Sequence, residues 1–236
     1  YVNGERIGDD YLVPNMTDYT KRFDLEKGPI AISGNMSRHR VMYLAYDITK
    51  QIQEGRNALG VILGNGFYDA VNLNIPCSKF GDECLRLQLQ LTYADGTTQT
   101  VISDNTWETK PSAITLNGVH AGEIYNANLE TPLWATTEDN SQGWQRVKCI
   151  EGPTGMMTAH TAPTDKIVET LKPISLHQRE DGAWVVDFGK EISGWLHLHD
   201  LKGEKGDTVK VDYISESVQG NMRYVMNGSG NEEYAP

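Results

Sequence analysis

Strict alternation of apolar and polar residues is the dominant pattern of this chain. Leu85-Arg86-Leu87-Gln88-Leu89-Gln90-Leu91-Thr92-Tyr93 sets Leu at every second position, meets Ala94-Asp95-Gly96-Thr97, and resumes as Thr98-Gln99-Thr100-Val101-Ile102. A period of two closed by an Asp-Gly turn predicts a half-buried antiparallel hairpin. Ala183–Gly189, Gly194–His199 and Val209–Tyr213 repeat the style, and Val168–Ile174 starts another alternating strand. Ala58–Gly64 is a short apolar run closed by the turn signal Gly64-Asn65-Gly66, which predicts a central strand from Ala58 to Leu63. Asn3-Gly4 is a turn dipeptide suited to positive φ between two strands. Short strands separated by turns at this spacing predict a sandwich.

Only Asp47–Gly55 argues for helix. Asp47 or Thr49 serves as N-cap, Ile48 and Ile52 lie four apart, and Gly55 sits where a helix end wants a left-handed residue. One or two turns cannot stand alone, so packing must hold them. Between Glu151 and Thr170 the chain turns to Pro and Gly without periodicity, which predicts a boundary. Two β units follow, residues 1–160 and 165–236. The chain opens at Tyr1-Val2-Asn3-Gly4 and stops at Tyr234-Ala235-Pro236, both in strand-like sequence. The expectation is a piece of a larger protein whose targeting signals lie elsewhere.

Composition narrows the chemistry. The 236 residues carry 21 Lys+Arg against 32 Asp+Glu, a formal charge of -11. That surface repels phosphate backbones and anionic lipid, so nucleic acid is not an expected partner. No apolar run reaches the ~18 residues of a spanning helix, and mean hydropathy is -0.48. Neutral carbohydrate and a hard cation such as calcium remain compatible with an acidic surface. Cys77, Cys84 and Cys149 are too few for a disulfide scaffold; Cys77 and Cys84 either pair or stay free thiols. His197 and His199 fall on one face of a strand, as two metal ligands or as an exposed polar face.

Four segments together carry a resemblance. They are Tyr1-Val2-Asn3-Gly4-Glu5-Arg6-Ile7-Gly8-Asp9-Asp10-Tyr11-Leu12-Val13-Pro14; Tyr46-Asp47-Ile48-Thr49 with Glu54-Gly55-Arg56-Asn57 through Gly66-Phe67-Tyr68; Gly122-Glu123-Ile124-Tyr125-Asn126-Ala127-Asn128; and Asp187-Phe188-Gly189-Lys190-Glu191-Ile192-Ser193-Gly194-Trp195. In that order the chain resembles the non-catalytic N-terminal region of bacterial α-L-rhamnosidases of glycoside hydrolase family 78. The second segment alone marks galactose-binding-like jelly rolls generally; the third and fourth sharpen the likeness.

The resemblance implies a galactose-binding-like jelly-roll β-sandwich followed by a second, partial, concanavalin-like β-sandwich. It implies an inverting glycoside hydrolase whose acid and base lie on an (α/α)6 barrel elsewhere in the polypeptide. It also implies a periplasmic or extracellular protein acting on rhamnose-containing glycans. Some members bind rhamnose through calcium in this region, which makes Asp18, Asn65 and Asp69 the candidate carbohydrate and calcium residues. Two departures weaken that site. Asn126 and Asn128 replace the family's Asp and Arg, and Asn15-Met16-Thr17 stands where a sugar-stacking Trp is common. Amides attract hard cations less than carboxylates do, so sugar binding is expected to be weak or absent, calcium marginal and other cofactors absent. Asp9-Asp10, Asp82-Glu83 and Glu232-Glu233 read as solvated loops with no catalytic pairing. A self-standing carbohydrate-binding or adhesion module, or the sugar-binding domain of a β-galactosidase, are the competing readings.

Overall fold

The structure is a computed structural model that describes residues 1–15, 40–66, 68, 81–118 and 122–213, with the backbone of 216–218, 221–223 and 231–235. Among the described residues the regular structure is all β, apart from one 3-10 turn at Ala127–Leu129. The strands are β1 (Arg40–Tyr43), β2 (Gln88–Thr92), β3 (Thr98–Ile102), β4 (Glu108–Thr109), β5 (Ile114–Gly118), β6 (Gly122–Asn126) and β7 (Gln145–Arg146). They continue as β8 (Met156–Ala159), β9 (Ser175–Gln178), β10 (Trp184–Asp187), β11 (Val209–Asp212), β12 (Glu216–Val218), β13 (Asn221–Arg223) and β14 (Asn231–Ala235).

The alternating segment forms the hairpin it predicts. β2 and β3 pair antiparallel from Gln88↔Ile102 to Thr92↔Thr98, with Leu89 and Leu91 half-buried and Gln88 and Gln90 exposed. Asp95 holds the turn: its Oδ1 accepts from the Thr97 amide at 2.9 Å and the Thr97 hydroxyl at 2.7 Å, while Gly96 takes φ 82°. β9 and β10 make a second hairpin, Trp184↔Gln178 to Asp187↔Ser175. A four-stranded sheet in the order β11-β14-β6-β5 joins strands from either side of the expected 160/165 division. β5 and β6 lie antiparallel with a register shift between Ile114 and Leu116, and β6 pairs parallel with β14.

Val2, Val41 and Ala135 are the buried apolar residues of the described part. Asn3-Gly4 builds the tight turn its sequence predicts. Both residues have positive φ, 51° and 86°, and Val2 and Glu5 exchange backbone hydrogen bonds of 2.9 Å. The turn then docks on the middle of the chain. The Asn3 amide donates to the Ala58 carbonyl at 2.9 Å, and Gly60 and Gly4 donate to Tyr1 and Ala135 at 3.1 and 2.8 Å. Trp134 meets Tyr1 edge to face at 5.1 Å. Gly60 makes that packing feasible, because a Cβ there would lie 2.4 Å from Trp134 Cζ3.

Four sequence expectations are corrected. Asp47–Gly55 is a turn rather than a helix. Asp47 Oδ1 caps the Thr49 amide at 2.9 Å and Ile52 donates back to Ile48, but Asn57 then takes both the amide and the carbonyl of Gln53. With those groups claimed, a second helical turn has no bonds with which to propagate. Gly55 does take the left-handed conformation, φ 87°. Ala58–Leu63 is not a laddered strand; among the described residues it bridges only Val2, at Leu59. Gly194–His199 is irregular, and a Cβ at Gly194 would meet no atom of the described residues within 4 Å. Val168–Ile174 is irregular too, and the strand starts one residue later, at Ser175. Within the Pro- and Gly-rich stretch from Glu151 to Thr170 lies β8, which pairs parallel with β1 from Arg40↔Met156 to Tyr43↔Ala159.

Candidate functional site

Of the three predicted site residues, Asp18 and Asp69 lie outside the described residues, as does Cys77. Asn65 is described and half-buried, and its Nδ2 donates to Glu83 Oε1. Glu83, expected to be a solvated loop carboxylate, is therefore engaged. Next to it, the Gly66 amide (φ 50°) reaches Asn117 Oδ1 at 3.4 Å, and a Cβ on Gly64 would lie 3.1 Å from the same oxygen. Asn117 belongs to β5, so the loop after the apolar run is held against that strand.

The amides that replace the family's Asp and Arg have local partners. Asn126 Oδ1 accepts from the Asn128 amide at 3.1 Å and from Asn128 Nδ2 at 3.0 Å, capping the 3-10 turn. An uncharged side chain suits a cap as well as Asp does. Tyr125, just before it, donates its hydroxyl to Glu130 Oε1. Burial first, and then that carboxylate, push the Tyr125 phenol up to about 12.

His197 and His199 share an exposed face without being in a strand, their ring centroids 5.9 Å apart. His199 Nδ1 lies 2.8 Å from Asp200 Oδ2. Among the described residues no group of three or more His, Cys, Asp or Glu is placed to hold a metal ion. Cys84 and Cys149 are exposed free thiols.

A polar cluster around Asp10 escapes local reading, because four separated segments build it. Asp10, expected to be solvated, keeps only 13% of its side chain exposed. Its Oδ1 accepts from the Thr164 hydroxyl, its Oδ2 from the Tyr46 hydroxyl at 2.9 Å, and Lys166 Nζ stands 3.7 Å away. Lys166 also contacts Asp9 at 2.5 Å, and the Tyr11 amide donates to the Asp165 carbonyl at 2.9 Å. Tyr11 then packs on Trp195 at 4.8 Å between centroids, with the Arg6 guanidinium 4.2 Å over the Tyr11 ring. The hydroxyls of Thr164 and Tyr46 hold the Asp10 carboxyl below its ordinary range. Burial, and then Asp10, push the Tyr46 phenol up to about 12. The Asp9 carboxylate raises Lys166.

Asp10 and Lys166 are thus both held toward their charged forms. Asp47, Asp95 and Asp104 are also held low, each by a Thr hydroxyl two residues on. Asp139 is pushed up by burial but pulled down further by hydrogen bonds from Ser141 and Trp144, with a net lowering. A glycosidase acid needs its carboxyl shifted the other way. No helix among the described residues is long and apolar enough to cross a membrane.

Comparison with known proteins bears on the whole chain. The family model of the α-L-rhamnosidase N-terminal domain matches residues 34–169, and that of the bacterial α-L-rhamnosidase concanavalin-like domain matches residues 177–236. An α-L-rhamnosidase of Formosa agariphila is 32% identical over 236 residues, covering 97% of this chain and 23% of that protein. One of Streptomyces avermitilis is 26% identical over 252 residues, covering 100% of this chain and 22% of its own. The chain thus spans about a quarter of the length of these curated relatives. The solved α-L-rhamnosidase of Dictyoglumus thermophilum matches with a TM-score of 0.78 at 31% identity, over 100% of this chain and 24% of its own. That of Streptomyces avermitilis complexed with L-rhamnose matches in fold, with a TM-score of 0.75 at 24% identity, over 100% of this chain and 22% of its own. An all-β chain matched in tandem by these two models belongs to the bacterial α-L-rhamnosidase family, of which it carries the N-terminal and concanavalin-like domains.

Proposed function

We propose that this chain is the accessory, carbohydrate-binding-like region of an enzyme that removes terminal α-L-rhamnosyl residues from glycosides or polysaccharides outside the cytoplasm. Its two units are residues 1–160 and 165–236, the first a jelly roll. Cleavage is assigned to an (α/α)6 barrel elsewhere in the same polypeptide. The observation that supports this reading is the match of an α-L-rhamnosidase N-terminal domain and a concanavalin-like domain, in that order along the chain. The shifted carboxyl groups support it, since all five move down, away from the raised pKa of a general acid. Inverting hydrolysis requires a carboxylic acid and a carboxylate about 6.5–9.5 Å apart with room for water between them. Asp9 and Asp10, the carboxylates of the cluster built from four segments, instead share the Lys166 ammonium.

Incubation of this chain and of its full-length parent with an aryl α-L-rhamnoside tests the proposal. The parent is expected to turn the substrate over and the chain alone to give no reproducible turnover. Turnover by the chain alone, or a parent that cleaves only other glycosides, overturns it. Fractionation of the source cells checks the location; full-length protein found only in cytosol contradicts that part.

A further inference from the structure

Beside the Asn3-Gly4 turn lies an open groove of about 260 Å³, lined by Asn3, Gln53, Thr136, Thr137 and Glu138. Three stretches remote in sequence converge there, and the backbone of each is pinned. Asn3 commits its whole side chain to the framework: Nδ2 donates to the Gln51 carbonyl and to Asn57 Oδ1, both at 2.9 Å, and Oδ1 accepts the Ala58 amide at 2.9 Å. Asn57 in turn grips Gln53 at its amide and carbonyl, at 2.9 and 2.8 Å. The opposite wall is a tight turn. Thr136 donates to the Leu133 carbonyl through both amide and hydroxyl at 2.9 Å, and its hydroxyl accepts the Glu138 amide at 3.3 Å.

Several polar atoms in this rigid frame remain unspent. Gln53 uses Nε2 on the Arg56 carbonyl at 3.1 Å, which leaves its Oε1. The Thr137 hydroxyl and the Glu138 carboxylate make no hydrogen bond or ion pair to another described residue. The free set is thus three acceptor oxygens and one hydroxyl, with no cation among the described lining residues. Gln53 and Glu138 are exposed, so water meets these acceptors in the free protein; a ligand that displaces that water has to bring its own donors and no negative charge. Vicinal hydroxyls meet that need, one carboxylate accepting from two of them. The volume lies below the ~300–1,000 Å³ of drug-sized pockets, which suits one ring rather than a chain.

We infer that this groove binds a single neutral glycosyl residue through adjacent hydroxyl groups that donate to Glu138, Thr137 and the Gln53 carbonyl oxygen. The site is separate from the Asn65 loop. The choice of rhamnose as probe rests on the function proposed above; the inference of a neutral polyol does not. Without an aromatic face in the lining, affinity is of order millimolar. A uronate is rejected, because its carboxylate would meet Glu138 on a chain of net charge -11.

The test is an amide-correlation NMR titration of the labelled full chain with methyl α-L-rhamnoside, methyl β-D-galactoside and D-glucuronate, each to about 50 mM, well above the expected Kd. Shifts should centre on Gln53, its side-chain NH2 and residues 136–138 for a neutral sugar, and be absent there for glucuronate. Glu138→Gln should weaken binding about tenfold, and Thr137→Ala severalfold, as hydrogen bonds to a charged and a neutral acceptor are lost. Both positions are on the surface turn, and retained spectral dispersion reports that each variant folds. No shift at these residues with either neutral sugar, shifts confined to residues 64–66, or full affinity in Glu138→Gln overturns the inference. Shifts at the groove with galactoside alone would uphold the groove and count against the rhamnosidase reading, so the two fail separately.

Discussion

Replacing Asn3 by Ala removes the most heavily used side chain of the N-terminal turn. Three hydrogen bonds disappear, to the Gln51 carbonyl, to Asn57 Oδ1 and from the Ala58 amide. At ~1 kcal/mol each, net of water, they sum to about 3 kcal/mol. Ala must also adopt φ 51°, which Asn tolerates and Ala does not, at a further ~1 kcal/mol. Asn3→Gly separates the two terms, since it loses the bonds but not the left-handed backbone; it should be milder than Ala by about 1 kcal/mol. Asn3→Asp keeps the acceptor for Ala58 but sets a carboxylate against two oxygens. Asn57 cannot flip to help, because its own Oδ1 and Nδ2 hold Gln53. Asp should therefore cost at least ~2 kcal/mol. Urea unfolding followed by tryptophan fluorescence reads these differences as shifts in midpoint at constant m. Asn3→Ala within ~0.5 kcal/mol of the parent, the range of ordinary surface changes, would refute the reasoning. So would an Ala variant as stable as Gly.

Tyrosine absorbance at high pH should show Tyr46 and Tyr125, among the described residues, ionising near 12; Asp10→Asn should lower the Tyr46 step by the part Asp10 contributes, with burial still holding it above its ordinary value, while leaving Tyr125 unmoved. Because both folded pKa values are raised, the stability linked to them is complete below the unfolded value of ~10 and is lost as pH rises through about 12, which thermal melts across that window measure. Gly60→Ala should cost ~1–3 kcal/mol, since its Cβ would sit 2.4 Å from Trp134 Cζ3 and displace the ring; unchanged near-UV circular dichroism and melting would contradict this. Asp47, Asp95 and Asp104 are held low by their Thr partners, so their contribution is present above the unfolded pKa of ~3.9 and fades as pH falls below it. Acid titration of Asp95→Asn should show a shallower loss than the parent, and identical acid profiles would count against the assignment.

Local chemistry wrote the parts of this fold that bond locally. The Leu85–Ile102 hairpin follows from period-two alternation plus Asp95-Gly96, and the Val2–Glu5 turn from Asn3-Gly4, because both close within a few residues. The parallel pair of β1 and β8 was not legible: its partners lie 116 positions apart, and a Pro- and Gly-rich stretch hides the second strand. The supposed helix failed for a readable reason. Asp47-Ile48-Thr49 repeats the Asp-x-Thr pattern of residues 95–97 and 104–106, and in all three the Asp accepts from the Thr amide and hydroxyl. That pattern signals a turn. At the predicted site only Asn65 lies among the described residues, and its partner Glu83 is eighteen positions away, beyond any spacing rule.

Trp195 shows how such non-local contacts redistribute roles. An exposed ring in a carbohydrate-active chain invites the role of stacking platform, yet one side of this one is taken by Tyr11, which Arg6 covers in turn. The aromatic pair contributes ~0.5–1.5 kcal/mol beyond its buried area and the cation ~0.5–1 kcal/mol at such an exposed position. The Lys166–Asp9 pair, 45% and 73% exposed, adds little despite its short distance. The ring stack, the partly covered Asp10 and the Tyr11–Asp165 backbone bond therefore fasten residues 6–11 to residues 164–166 and to Trp195. Residues 1–4 are fastened just as firmly at Ala58, Gly60 and Ala135. The opening segment is thus anchored at both ends, once to the middle of the chain and once to the region matched by the concanavalin-like model. Its motif residues, Asn3, Gly4, Asp10 and Tyr11, are spent on that attachment, which leaves ligand contact to the side chains with unused valence in the groove beside it.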